Sequence, residues 1–141
     1  RGLGLWNLVN LDAKPFEASP ARSAQMNRGA YLVEGPGHCA ECHSTRDFSG
    51  GIIPAKRFAG GPDPEGKGYV PNITPHEDGM AKWTDKDIIY LLETGQNPEG
   101  DAVGGHMYEV TVNTGLLSAQ DRAAMAAYLK SLPPRPGKAK K

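Results

Sequence analysis

The chain has 141 residues, the length of one domain, and its 16 basic and 16 acidic residues balance to a net charge of +0. That balance removes any global electrostatic case for nucleic acid or an anionic membrane, and no stretch approaches the roughly 20 apolar residues that cross a bilayer. With Gly 18, Pro 12 and only 38% hydrophobic residues, the chain is loop-rich and short of apolar material of its own, so a large bound group at its centre would stabilise it.

Residues 1–20, "RGLGLWNLVNLDAKPFEASP", gather Leu3, Leu5, Trp6, Leu8, Val9 and Leu11 into one apolar run closed by Pro15 and Pro20. Two readings stand: an arm packed on the main body, which is preferred, and a contact with another domain or subunit. The chain opens at Arg1 with neither an initiator methionine nor a leader pattern, which reads as a mature or trimmed chain.

Helix signals appear next in three places. "SAQMNRGAYLVE" puts Met26, Ala30 and Val33 at helical spacing, with Gly35 and Pro36 as the stop. "TDKDIIYLLETG" opens with Thr84 as N-cap and Asp87 three residues on, then sets Ile88, Leu91 and Leu92 on one face before Gly95. Ser118 and Asp121 begin the third in the same way; Met125, Tyr128, Leu129 and Leu132 form its apolar stripe, and Pro133-Pro134 ends it. Between them lie Gly/Pro-rich stretches at 44–83 and 96–117 with no strand alternation, expected as long loops that something other than a sheet must organise. The tail "RPGKAKK" reads as a solvated terminus. The expected division is an N-terminal arm at 1–21, one domain at 22–134 and a basic tail at 135–141.

Both cysteines of the chain fall in "GPGHCAECHSTRD", residues 35–47. Cys39-Ala40-Glu41-Cys42-His43 is C-x-x-C-H, the c-type haem attachment motif. Each thiol adds across a haem vinyl group to form a thioether, and the histidine that comes next lies where its imidazole becomes the proximal axial ligand. A structural zinc site needs four ligands at short spacing, and His38, His76 and His106 are scattered without that pattern. A thioredoxin-like redox pair needs a βαβ setting, and no strand precedes Cys39.

The sixth ligand decides what such a haem does. Met80, Met107, Met125, His76 and His106 are the downstream candidates. Met125 sits on the stripe of the last helix and reads as core; Met80, just before Trp83, reads as packing. Met107 comes 64 residues after His43 and is preceded by Gly104 and Gly105, which allow close backbone approach. It is the preferred ligand, with His106 a competitor, since imidazole also binds haem iron. A soft, neutral thioether favours ferrous iron and raises the potential relative to two imidazoles. Iron closed on both faces has no open position for substrate or dioxygen, which argues for electron transfer over catalysis.

The ordered series "RGAYLVEGPGHCAECHSTRD", "AGGPDPEGKGYVPNITPHEDGMAKWTDKDIIYLLETG", "GGHMYEV" and "LSAQDRAAMAAYLKSLPP" resembles class I c-type cytochromes. More narrowly, it is similar to the haem domains in cytochrome c subunits of bacterial periplasmic dehydrogenases, including two-haem chains, over residues 22–134. The resemblance implies an all-α cytochrome c fold, about three main helices with long loops wrapped around one covalent haem c. Gly29 on the first of these helices is then expected to meet Tyr128 on the last. A loop along the haem edge is implied for "NITP…W", with Asn72 and Trp83 as propionate donors and Ile73 as ring cover. Arg46 has two open readings, a propionate partner and a solvated guanidinium. The family's methionine ligand falls on Met107, and an aliphatic residue of relatives is Met80 here; His106 departs from the pattern.

The chain is thus expected to be a periplasmic carrier of single electrons, not itself an enzyme. Its donor would be a dehydrogenase and its acceptor another cytochrome or a terminal oxidase. The alternatives are an electron-accepting haem module, as subunit or fragment, of a larger dehydrogenase complex, and a haem enzyme or gas binder with a displaceable distal ligand.

Overall fold

A computed structural model describes residues 2–11, 14–64, 66 and 68–137. Its elements are α1 (Gly2–Asn10), α2 (Ala24–Glu34), the single turn α3 (Cys39–Cys42), α4 (Asp85–Thr94), α5 (His106–Gly115) and α6 (Ala119–Ser131). A 3-10 turn lies at Pro54–Lys56, and an antiparallel ribbon pairs β1 (Gly61–Pro62) with β2 (Tyr69–Val70). Residues 138–141 of the expected basic tail lie outside the described residues.

The three expected helices begin where their caps put them. The Ser23 side chain accepts from the Met26 amide and starts α2. Thr84 and Asp87 complete a reciprocal capping box on α4, and Gly95 closes it in the left-handed region at φ 74°. Ser118 accepts from the Asp121 amide at the head of α6, and the Asp121 carboxylate reaches Arg28 of α2 with bonds of 2.7 and 3.0 Å.

The apolar faces so generated meet. Val33, Ile88, Met125, Tyr128, Leu129 and Leu132 are buried in one core cluster; full burial of a side chain of this size contributes on the order of 2 kcal/mol. Helix α2 crosses α6 so closely at Gly29 that a Cβ there would stand 2.0 Å from the Ala124 carbonyl oxygen and 2.8 Å from the Tyr128 Cβ. Only glycine permits that crossing, as the expected meeting of Gly29 and Tyr128 requires.

Helix α5 was expected as loop. "HMYEVTVNTG" lacks a side-chain N-cap and carries three β-branched residues, Val110, Thr111 and Val112, in a row. Tertiary bonds hold it: the Thr114 hydroxyl donates to the Leu92 carbonyl at 2.5 Å, and Arg122, 6% exposed, donates from Nη1 to the carbonyls of Leu117 and Gly115 at the end of the helix and from Nη2 to Glu93 of α4. A guanidinium at that position complements the negative end of the helix dipole.

The other expected loop, 44–83, differs from expectation in holding the 3-10 turn and the short β1–β2 ribbon, and further cross-links brace it. The Phe58 amide donates to the Ser44 hydroxyl, the Ile73 amide to the Phe58 carbonyl, and the Gly60 amide to the His43 carbonyl. Residues 135–137 also differ from the expected solvated terminus. Arg135 and Gly137 are bonded to Asn72, Thr74, Arg57 and Asp78.

The N-terminal arm opens as helix α1 and is tied to α2 further along, where the Phe16 ring meets Tyr31 edge-on and Ser19 exchanges bonds with the Asn27 side chain. The Trp6 indole donates to the Ser49 carbonyl at 2.8 Å, while Leu3, Leu5, Leu8 and Val9 are all exposed. Among the described residues no helix is long and apolar enough to cross a membrane.

Candidate functional site

The turn α3 is prepared by unusual backbone on its N-terminal side. A Cβ on Gly37 would stand 2.5 Å from the Leu32 carbonyl oxygen, and His38 adopts the left-handed region at φ 33°. Within the turn, Cys39 and Cys42 stand three residues apart, the spacing that puts two side chains on one side of a helix. They are not joined in a disulfide. Burial pushes the Cys39 thiol up to about 11, against the opposing effect of a backbone hydrogen bond. Cys39 is therefore a protonated thiol at neutral pH, unlike the activated thiolate of a redox motif.

His43 stands at the C-terminal end of the turn, its amide donating to the Cys39 carbonyl at 3.0 Å. The ring is buried, 8% exposed, and its Nδ1 lies 2.8 Å from the Pro71 carbonyl oxygen. A carbonyl only accepts, so Nδ1 carries the proton and the lone pair sits on Nε2. Burial lowers the His43 pKa, opposed by the Pro71 bond. The site thus holds a neutral imidazole with a fixed tautomer and one basic nitrogen, the form a metal requires.

The remaining sequence candidates divide. Ile73 and Trp83 are half-buried and pack on the same core cluster as Cys39. Asn72 is 3% exposed; its carboxamide oxygen accepts from the Thr74 amide and hydroxyl, and its Nδ2 donates to the Arg135 carbonyl. Arg46 is held by the Glu41 carboxylate at 2.6 Å and by the Glu41 and Gly50 carbonyls, so its guanidinium is neither simply solvated nor without a partner. Met80 is a buried member of the core cluster at 6% exposure, as is Met125 at 2%. Met107 is half-buried in the first turn of α5 and lies outside that cluster, with His106 exposed beside it.

Sequence reasoning did not find Pro71. The role belongs to a main-chain carbonyl, which no residue type announces; the only local signal is a proline directly before Asn72, which fixes the backbone at the point of contact.

These residues fit a covalently attached haem. Two thiols stand on one turn, the next residue is a buried imidazole with Nε2 as its donor, and a half-buried thioether is carried on a separate element. Among the described residues no three His, Cys, Asp or Glu side chains gather into a metal cluster of their own.

Comparison with known proteins agrees with this chemistry. A family model for Cytochrome c matches residues 26–133. A diheme cytochrome c-type protein of Cereibacter sphaeroides is 48% identical over 106 residues, which are 75% of this chain and 35% of that protein. The cytochrome c subunit of a quinone alcohol dehydrogenase from Gluconacetobacter polyoxogenes is 34% identical over 144 residues, covering 95% of this chain and 30% of that one. The fructose dehydrogenase cytochrome subunit of Gluconobacter japonicus is 31% identical over 134 residues, covering 93% and 27%. The chain therefore spans about a third of the length of these relatives. With the attachment motif, the oriented histidine and the helical frame all inside the matched span, the chain belongs to the cytochrome c family of haem electron carriers.

Proposed function

We propose that this chain is a periplasmic electron-transfer domain that carries one haem c, fixed by Cys39 and Cys42 and ligated by His43 and Met107. It takes single electrons from a dehydrogenase and passes them to another cytochrome or a terminal oxidase. The observation that carries the reading is the buried His43 imidazole, oriented by Pro71, immediately after two thiols on one turn.

Each residue then has a task. Cys39 and Cys42 supply the sulfurs for two thioether bonds. His43 gives Nε2 to the iron and keeps its proton on Nδ1 against Pro71. Met107 would supply a thioether donor from the first turn of α5, a helix that the Thr114 and Arg122 bonds hold in place. When bound, haem c contributes a one-electron ferric/ferrous iron couple. The core packed around Cys39, Ile73 and Trp83 excludes water from the site and sets its polarity. Transient docking of redox partners at the surface around α3 would need only a small, weak interface.

Carbon monoxide titration of the reduced, haem-loaded protein tests the closed coordination. Failure to bind supports the electron carrier, and rapid binding at full occupancy overturns it in favour of a gas binder or haem enzyme.

A second reading, the electron-accepting module of a larger dehydrogenase complex, is favoured by the exposed apolar residues of α1, where Leu3 is 73% and Leu8 81% exposed. Such a face suits a subunit contact. Relatives that include cytochrome subunits of quinone alcohol and fructose dehydrogenases point the same way.

A further inference from the structure

The segment after α6 makes a set of bonds that the haem motif does not require. Arg135 uses three separate groups. Its carbonyl accepts from Asn72 Nδ2 at 2.8 Å, its amide donates to the Thr74 hydroxyl at 3.1 Å, and its Nη1 donates to the Arg57 carbonyl at 2.8 Å. Two residues on, the Gly137 amide donates to Asp78 Oδ2 at 3.1 Å. Here the chain runs so close to residue 59 that a Cβ on Gly137 would stand 1.9 Å from the Ala59 carbonyl oxygen.

The segments gripped in this way are the two that hold His43. Residues 57–60 end in Gly60, whose amide donates to the His43 carbonyl at 2.8 Å. Residues 71–74 begin with Pro71, whose carbonyl accepts from His43 Nδ1. The two segments also bond to each other, through the Ile73 amide and the Phe58 carbonyl at 3.0 Å. They touch at Gly60, where a Cβ would stand 2.8 Å from the Asn72 amide nitrogen.

We infer that residues 135–137 form a clamp that sets the Pro71 carbonyl against His43 and so tunes the axial imidazole. The inference rests on the reading of His43 as the iron ligand. A hydrogen bond from Nδ1 to a carbonyl raises the basicity of the ligating nitrogen and favours ferric iron, so a tight Pro71 contact holds the reduction potential down. Asn72, Thr74 and Arg135 act through Pro71 and are positioning residues. The node is built for permanence: Asn72 and Thr74 are 3% and 1% exposed, and a buried polar network is stable only while its members stay satisfied.

The experiment uses the haem-loaded chain in three forms, truncated after Pro134, Thr74→Val, and Thr74→Ser as the conservative variant. Arg28→Ala serves as a control that removes a surface ion pair between α2 and α6. Two quantities are read: the midpoint potential, and the exchange rate of the His43 Nδ1 proton in the reduced protein by NMR. The clamp predicts that truncation and Thr74→Val each raise the potential and speed proton exchange by about tenfold or more. Thr74→Ser keeps both near wild type, and Arg28→Ala changes neither. Truncated or Thr74→Val protein with wild-type potential and exchange overturns the clamp and leaves the haem reading intact. A wild-type protein whose iron has no histidine ligand contradicts the reading of His43 itself, and the clamp with it.

Discussion

His43 Nδ1 lies 2.8 Å from the carbonyl oxygen of Pro71, 28 residues further along the chain. That single bond converts a histidine fixed in sequence by the cysteines beside it into one fixed in rotation and tautomer by a distant loop. It also joins the attachment turn to the core, because Pro71 is continuous with Asn72, Ile73 and Thr74, which bond to Phe58 and to Arg135.

The two central methionines differ in what their loss does. Met107→Ala is expected to lower the reduction potential and open the iron to carbon monoxide, with little loss of fold. Met80→Ala leaves the iron spectrum unchanged and destabilises the protein by about 3 kcal/mol, the cost of truncating a buried side chain. Visible absorption and denaturant unfolding of both variants check this, and disappearance of the methionine-to-iron charge-transfer band in Met80→Ala reverses the assignment.

Gly29→Ala drives a methyl into the Ala124 carbonyl at 2.0 Å. Neither partner is a flexible side-chain tip, so α2 and α6 must separate. Overpacking of this kind costs about 3 kcal/mol, and the denaturation midpoint of the haem-loaded variant measures it.

Such packing was largely legible beforehand, because it rests on local signals. Thr84 and Ser118 mark helix starts to the residue, and Gly29 in mid-helix demands a close neighbour. Helix α5 was not legible: its β-branched run and Gly105 N-cap argue against a helix, and the Leu92 carbonyl of α4, which takes the Thr114 hydroxyl, and Arg122 of α6 supply from other elements what its own sequence lacks. Within the site, Cys39, Cys42 and His43 announce themselves by spacing. Pro71 and Arg135 do not, since their contributions come chiefly from main-chain groups whose partners are set by the folded chain.

Asp121 makes stability depend on acid. Its hydrogen bonds to Arg28 hold the carboxyl below its ordinary range, with the charge of Arg28 adding to the effect. A depressed native pKa gives stability that is present above the unfolded value of about 3.9 and lost as pH falls through the native one. The melting temperature of wild type should therefore fall more steeply than that of Asp121→Asn between about pH 5 and pH 2. Parallel curves would show that the pair adds nothing.

Deleting residues 1–11 removes α1, which meets the body through the exposed Trp6 bond to Ser49 and the close approach of Asn10 to Gly51. An exposed bond of this kind is worth about 1 kcal/mol, so stability and reduction potential should stay close to those of the full chain. If the domain is a module of a dehydrogenase complex, the deletion weakens association with the dehydrogenase, read by co-sedimentation. Unchanged association counts against the apolar face of α1 as the contact.

The most direct test of a single His/Met-ligated haem is a spectropotentiometric titration of the purified, haem-loaded protein. The expected result is a single one-electron transition of a low-spin, six-coordinate c-type haem, fitted by one midpoint potential across the spectrum. A high-spin spectrum, two resolved transitions, or no haem signal from protein carrying intact Cys39, Cys42 and His43 would contradict it.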